Sequence, residues 1–272
     1  DRSEDEELVT LDGTRGFASL TAALSAAVAG SEILICPGTY RGNFEAPVAV
    51  RLIAYGDQTE TFLDGEGSGT VLTVAPGTEI EGLTIRGGKA TGASGGGVRL
   101  GAAGTLLLTQ SVVRENEAAL GGGMWIAPGG QLTLVDTVVE ENHATEGGGG
   151  VMVGSGGWLD LSAGSTVSNN HARSYGGGVA LEGASLVGGV VSENEVESEL
   201  LLVEDLLDLV AWGGAGVSVA DSGSISGTEI AHNRSLGGGG GVAIGVGEAI
   251  LTDVSIHHNA ALGGAGFTLV AG

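Results

Sequence analysis

Short apolar segments follow one another along almost the whole chain, separated by glycines, asparagines and acidic residues. Their length and their Val, Leu and Ile content are typical of β-strands. Such segments include Ile33–Cys36, Val48–Ala54, Thr70–Val74, Glu79–Ile85, Val98–Leu100 and Leu106–Val113, and the pattern continues to Phe267–Val270. The sequence therefore predicts a chain built mainly from short strands.

Two elements recur in these segments with a constant order. The first is an aliphatic residue three places before an asparagine, and the second is a glycine-rich run that ends in an apolar residue. The asparagines are Asn116, Asn142, Asn170, Asn194, Asn233 and Asn259, at spacings of 26, 28, 24, 39 and 26 residues. A period of this size is the signature of a repeat architecture.

Each repeat reads as three short strands and three bends, which is one coil of a parallel β-helix. The predicted fold is all-β, a right-handed parallel β-helix forming one solenoid domain over residues 1–272. In this fold the six asparagines stack at one turn and form an internal hydrogen-bonded ladder. A catalytic role for them is the alternative, but a reactive site does not need six copies.

Two segments have helical periodicity instead. Apolar residues at 17, 20, 24, 27 and 28 predict a short amphipathic helix over 17–29, which would cap the first coil behind an N-terminal extension, 1–14. The interval of 39 residues between Asn194 and Asn233 is about 13 residues longer than the usual spacing. Residues 195–212 within it predict an inserted amphipathic helix. Its apolar stripe packs on an outer face or docks a partner.

The formal net charge is −23, with 33 acidic and 10 basic residues. So acidic a surface repels phosphate backbones and anionic membranes, which excludes nucleic acid as a partner and gives no reason to expect membrane insertion. The single Cys36 cannot form an internal disulfide. We expect a protein that is secreted or at the cell surface of a bacterium, although the chain shows no signal sequence.

Candidate catalytic and metal-binding residues are few. Glu115 and Glu141 each precede a ladder asparagine, so they should project outward one coil apart, at about the carboxylate spacing of a retaining glycosidase. Every pair of stacked acids in a β-helix has that spacing, however. His143 over His171 and His232 over His258 are the candidate metal ligands, each pair without a clear third ligand. No calcium motif is present, so no cofactor is predicted.

Apolar residues at two places are predicted to mediate association. The last coil opens with a strand at 267–270 and has no polar cap after it, which favours self-association or an adjoining domain over a frayed end in a monomer. The inserted helix is the second candidate. The predicted interaction residues are Leu200, Val203, Leu206, Leu207, Val210, Phe267 and Leu269.

These repeats resemble those of the pectin-lyase-like right-handed parallel β-helix superfamily, more specifically of chlamydial-type polymorphic outer membrane proteins. In the latter an F-x-x-N element alternates with G-G-A-[ILV]; here Val or Ile replaces the phenylalanine. The run Ile35-Cys36-Pro37-Gly38-Thr39-Tyr40 resembles the P-G-T-Y opening of the superfamily. The resemblance implies a fold rather than an activity. We expect a non-catalytic structural, adhesive or assembly module; the alternative is a polysaccharide lyase or glycoside hydrolase working on a sheet face.

Overall fold

In the computed structural model, which describes residues 9–56, 58–197, 213–245 and 247–269, the backbone winds into a stack of coils. Strands of successive coils pair in parallel and in register, which builds four sheets along the stack. We number these sheets 1 to 4 in the order in which one coil passes through them. Three of them contain nine parallel strands each in the described residues, so the coils make about eight full turns.

Each coil contributes at most one strand to each sheet, and the strands are given in their order along the stack. The parallel strands of sheet 1 are Ser31–Ile35, Val50–Ala54, Thr78–Glu81, Gly104–Thr109, Gly130–Val135, Trp158–Ser162, Ser185–Val187, Gly223–Ser226 and Ala249–Thr252. Those of sheet 2 are Gly38–Arg41, Thr61–Asp64, Thr84–Arg86, Val112–Arg114, Val138–Glu140, Thr166–Ser168, Val190–Ser192, Glu229–Ala231 and Ser255–His257.

The other two sheets follow the asparagine corner. The strands of sheet 3 are Lys89–Ser94, Glu117–Leu120, His143–Gly147, His171–Ala172, Glu195–Val196, Arg234–Ser235 and Ala260–Ala261. Those of sheet 4 are Phe44–Ala46, Leu72–Val74, Val98–Leu100, Met124–Ile126, Val151–Val153, Val179–Glu182, Val217–Ala220, Val242–Ile244 and Phe267–Leu269.

This arrangement confirms the predicted right-handed parallel β-helix. Sheets 1, 2 and 4 are the three long sheets, and the short sheet 3 is an addition between the asparagine corner and the glycine run. Alternate residues of each strand face the interior, where aliphatic side chains of the same kind stack on one another. Leu106, Leu132 and Leu159, for example, pair directly through three coils and are at most 1% exposed. Burial of such columns is the main stabilising contribution to the fold.

The glycine runs lie at the tight bend between sheets 3 and 4. A Cβ atom on Gly122 would collide with the carbonyl oxygens of His143 and Gly149, which belong to the next coil. Neighbouring backbones therefore approach too closely for any side chain at this bend. Repetition of glycine here is a requirement of stacking rather than a sign of phosphate binding.

The N-terminal cap differs in its bounds from the prediction. The helix runs from Leu20 to Ala26, with the Ser19 hydroxyl accepting from the N–H of Ala22 at 3.2 Å, rather than over residues 17–29. Phe17 ends a strand, Arg15–Phe17, because Ser19 in extended conformation starts the helix after it. The segment assigned to an extension, 1–14, contributes the strand Val9–Leu11, which pairs antiparallel with the first coil.

Part of the predicted insertion lies outside the described residues. Glu195–Val196 forms a strand of sheet 3, so the insertion begins later than residue 195, and residues 198–212 are not described. The predicted interaction residues Leu200, Val203, Leu206, Leu207 and Val210 fall there. No helix among the described residues has the length and apolar character that crossing a membrane requires.

Candidate functional site

Trp158 stands on the outer face of sheet 1, as the first residue of its strand. The next residue, Leu159, is fully buried in the interior, so strand alternation turns the indole outward and leaves Trp158 44% exposed. In-register pairing places Gln131 on one side of it and Ser185 on the other. The indole is thus a flat apolar surface bordered by hydrogen-bonding groups.

Asp160 lies on the same outer face, about 6.6 Å further along the strand at the usual rise per residue. The Ser162 hydroxyl donates to its Oδ1 at 2.8 Å, which fixes the orientation of the carboxylate. Thr133 is its in-register neighbour in the previous coil. An aromatic face next to an oriented carboxylate suits a ligand that is apolar on one face and carries hydroxyl donors at its edge.

An acidic pair, Glu182 and Asp221, lies at the corner where sheet 4 turns toward sheet 1. Glu182 pairs in register with Ala220, so Asp221 follows one residue later in the next coil. Partial burial, and after it the negative charge of Asp221, raises the pKa of the Glu182 carboxyl above its usual value. Glu182 comes three residues before Ser185, the in-register neighbour of Trp158. The acidic pair and the indole therefore border the same edge of the solenoid.

Tyr175 precedes the strand that carries Glu182 and bridges to Gly147 of the previous coil. Burial, followed by the charges of Glu182 and Glu146, raises the pKa of Tyr175 to about 12. Its phenol stays protonated at physiological pH and remains a hydrogen-bond donor.

A shallow depression of about 120 Å³ lies on sheet 1, near the N-terminal end of the stack. Arg51 lines it and makes ion pairs with Glu32 at 2.9 Å, Glu79 at 2.9 Å and Glu81 at 3.4 Å. The volume is below the few hundred Å³ of ordinary small-molecule pockets, and the guanidinium already has carboxylate partners. We therefore assign this depression a structural role.

The predicted catalytic pair, Glu115 and Glu141, occupies the corner before the ladder asparagines. Both residues have positive φ, 55° and 54°, which turns their side chains away from the interior. Glu115 forms an ion pair with Arg114 at 2.8 Å. This contact occupies the Glu115 carboxylate with a guanidinium instead of leaving it facing Glu141.

The six predicted ladder asparagines lie in one column inside the corner. The side-chain N–H₂ of each of the first five donates to the side-chain oxygen of the asparagine in the next coil, at 3.0 to 3.1 Å. The backbone N–H of each of these five also donates to that oxygen, at 2.9 to 3.1 Å. At the first rung, the oxygen of Asn116 accepts from the N–H of Gly88.

This column is sealed from solvent over most of its length. Asn116, Asn142, Asn170, Asn194 and Asn233 are at most 1% exposed. Such groups cannot reach a substrate, and their hydrogen bonds take the place of water for the buried backbone of the corner. The contacts place the asparagines in a structural role.

The candidate metal ligands fall into two separate groups. His143 and His171 pair in register on sheet 3 and stack at 4.9 Å. Burial and the neighbouring His171 lower the pKa of His143. His232 and His258 stack at 5.0 Å at the asparagine corner, near the C-terminal end of the described stack, and His257 lies against both.

Sequence reasoning did not select Trp158, Glu182, Asp221 or His257. Trp158 was visible as one of three tryptophans, but its exposure depends on which face of the strand it takes. The acidic pair depends on register across a corner, and its two members are 39 residues apart in sequence. Alternation of buried leucines in the strand Trp158–Ser162 was the available signal for the outward indole.

The comparisons with known proteins bear on the fold. No protein-family model and no curated protein matches the chain. Among solved structures, pectin methylesterase from carrot is 13% identical, with a TM-score of 0.51, over 96% of this chain and 86% of that one. Alginate lyase from Paenibacillus sp. str. FPU-7 is also 13% identical, with a TM-score of 0.33, over 87% and 96% respectively. At this identity the likeness to pectin methylesterase bears on the fold alone, and it agrees with a right-handed parallel β-helix.

Proposed function

We propose that this protein is a carbohydrate-binding β-helix, whose ligand is a polysaccharide lying across the outer face of sheet 1. The observation that supports this function is the exposed indole of Trp158 with Gln131, Ser185 and Asp160 around it. A sugar ring has an apolar face that stacks on an indole and edge hydroxyls that hydrogen-bond to amide, hydroxyl and carboxylate groups. An open, rigid sheet face suits a polymer better than a small molecule.

The charge of the chain favours a neutral polysaccharide. A net charge of −23 repels polyanions over distances of about a Debye length, roughly 8 Å at physiological ionic strength. Asp160 adds a negative charge at the site itself. Neutral glucans, xylans and mannans are therefore the expected ligand class, and polyuronates bind more weakly unless salt or divalent cations screen the repulsion.

Affinity electrophoresis and calorimetry against a panel of neutral and acidic polysaccharides test this proposal. The indole is half covered already, so further burial contributes about 1.4 kcal/mol, and Trp158→Ala should weaken binding about tenfold. Tyr55→Ala is the matched control, because Tyr55 is an aromatic residue 70% exposed elsewhere on the solenoid. Equal affinities of the wild type and Trp158→Ala for every polysaccharide bound would refute the site.

A second candidate function, cleavage of the bound polysaccharide, is supported by Glu182. Its raised pKa keeps the Glu182 carboxylic acid protonated at higher pH than usual, and Asp221 places a second carboxyl group beside it. A glycoside hydrolase requires a pair of carboxyl groups, one of which acts as the proton donor. Turnover should fall about 100-fold or more in Glu182→Gln and remain in Glu140→Gln, whose carboxyl lies on sheet 2. Unchanged turnover in Glu182→Gln would remove this candidate.

The proposal includes a place of action outside the cell or at the bacterial surface, with an adhesive role. It is supported by the acidic surface and by the resemblance of the repeats to those of chlamydial-type polymorphic outer membrane proteins. Protease treatment of intact cells expressing the full-length protein checks it: we expect digestion of this domain without lysis. Digestion only after lysis would contradict the location.

A further inference from the structure

The strongest unassigned feature is a cluster of three histidines, His232, His257 and His258, beside Glu229. His232 and His258 occupy equivalent corner positions of adjacent coils, with φ of 58° and 52°, and their rings stack at 5.0 Å with 4° between planes. His257 stands edge-on to both rings. Among the described residues this is the group whose three ligand nitrogens lie together, all within 4.8 Å of one another.

The backbone explains why two consecutive histidines reach the same place. In a regular strand the side chains of residues 257 and 258 would point to opposite faces. The left-handed conformation of His258 interrupts that alternation, so its ring turns outward beside His257. Below His257 in the previous coil stands Ala231, a small buried residue that leaves room for the imidazole next to His232.

The hydrogen bonds indicate which nitrogens can ligate. The Nε2 of His257 lies 3.2 Å from a carboxylate oxygen of Glu229, which favours the tautomer that donates from Nε2 to the carboxylate. In that tautomer the Nδ1 of His257 accepts a hydrogen bond from the Nδ1 of His258 at 2.8 Å, and a metal ion would take the place of the proton between them. A carboxylate behind the distal nitrogen of an imidazole is the usual support of a metal-ligating histidine, because it fixes the tautomer and raises the basicity.

We propose that His232, His257 and His258 bind a divalent transition-metal ion, with Glu229 orienting His257. Three imidazoles suit Zn²⁺, Ni²⁺ or Cu²⁺ rather than the oxygen-preferring Ca²⁺ or Mg²⁺. Metal–nitrogen bonds of about 2.0–2.1 Å require the rings to close slightly around the ion, which the exposed rings of His232 and His258 allow. The ligands come from two coils, so the ion ties the coil of Asn259 to the coil of Asn233.

The other histidine pair provides a matched control. His143 and His171 stack at nearly the same distance, 4.9 Å, on parallel strands of the same solenoid, but no third ligand is grouped with them in the described residues. The carboxylate of Glu197 lies 3.6 Å from the Nε2 of His171, but it does not form a three-ligand group with both rings. A non-specific affinity of stacked histidines for metal would therefore appear at both pairs.

Titration of the metal-free, untagged chain with ZnCl₂ and NiCl₂ in a calorimeter tests the proposal. We expect about one equivalent to bind, weakened at least tenfold in His257→Ala and about tenfold in Glu229→Gln, and unchanged in His143→Ala. Hydrogen exchange should show metal-dependent protection of residues 229–261 in the wild type and not in His257→Ala. Absence of binding, an affinity unchanged in His257→Ala, or one lost in His143→Ala would each overturn the site.

Discussion

Substitution of Asn142 by alanine measures what one rung of the buried ladder contributes. The Asn142 side chain donates to the carbonyl of Val113 at 2.9 Å and to the oxygen of Asn170 at 3.0 Å. Its own oxygen accepts from the backbone N–H of Asn116 at 3.1 Å and from the side chain of Asn116 at 3.0 Å. Asn142→Ala therefore removes four hydrogen bonds from a site that is 1% exposed.

Not all the partners are left without a bond. The side chain of Asn116 keeps the carbonyls of Ile85 and Arg114, and the oxygen of Asn170 keeps the N–H of residue 142. The backbone N–H of Asn116 loses the Asn142 side-chain oxygen as its acceptor. The carbonyl of Val113 loses the Asn142 side-chain N–H₂ as a donor. At about 1–3 kcal/mol for a buried group left unsatisfied, and smaller losses for the rest, the free energy of unfolding should fall by about 2–4 kcal/mol.

Urea unfolding followed by far-UV circular dichroism measures that free energy, and hydrogen exchange at the Asn116 amide reports the loss locally. Asn169→Gly is the control: it removes an exposed asparagine next to the ladder, at φ of 54° that glycine adopts freely, and should change stability by less than about 1 kcal/mol. A ΔΔG of Asn142→Ala below about 0.5 kcal/mol, with Asn116 still protected, would refute the energetic reasoning.

Three further predictions concern the stacking, the pH dependence and the open end. Gly122→Ala should lower the free energy of unfolding by more than about 2 kcal/mol through backbone collision, while Gly101→Ala, with free space around its Cβ, should not. The lowered pKa of His143 means that the folded chain binds fewer protons than the unfolded chain below pH 6.5. Its contribution to stability should therefore be full above that pH and be lost as the pH falls beneath it. The urea midpoint of His143→Ala should decline less with falling pH than that of the wild type. Phe267 and Leu269 are 45% and 61% exposed in the last described strand, and Phe267→Asp with Leu269→Asp should abolish any concentration-dependent mass in light scattering; a monomer at all concentrations before substitution would contradict self-association.

The fold was predictable from the sequence because stacking imposes the same demand on every coil. The aliphatic residue three places before each of the first five ladder asparagines, such as Val139 before Asn142, is fully buried, and the residue two places after each of them, such as Ala144, faces the interior as well. Because each coil needs the same residue types at the same positions, the sequence is periodic. The bounds of the capping helix were not predictable to the residue, because Phe17 and Val28 fit the apolar period whether or not they are helical.

The candidate sites were harder to predict because they depend on register between coils of unequal length. Ser185 lies beside Trp158 because the segment that joins their two strands has the length that aligns these residues. That length is not constant along the chain, since the spacings between the ladder asparagines vary from 24 to 39 residues. His257 was missed for a different reason. Strand periodicity places it opposite His258, and the positive φ that brings the two together is set by the tight corner.

The outer columns of this solenoid follow a different rule from the inner ones. Inside, each coil must fill the same space, so a repeated residue such as the ladder asparagine reports packing. Outside, no such demand applies, and a column can change its chemistry at a single coil. Trp158 between Gln131 and Ser185, and His257 above Ala231, are both changes of this kind, each placing a large side chain on a rigid strand beside smaller neighbours. The face of the large side chain then stays open to a ligand. A binding site in this fold is accordingly expected where an outward column is interrupted, which favours Trp158 and His257 over the column that repeats Glu115 at Glu141.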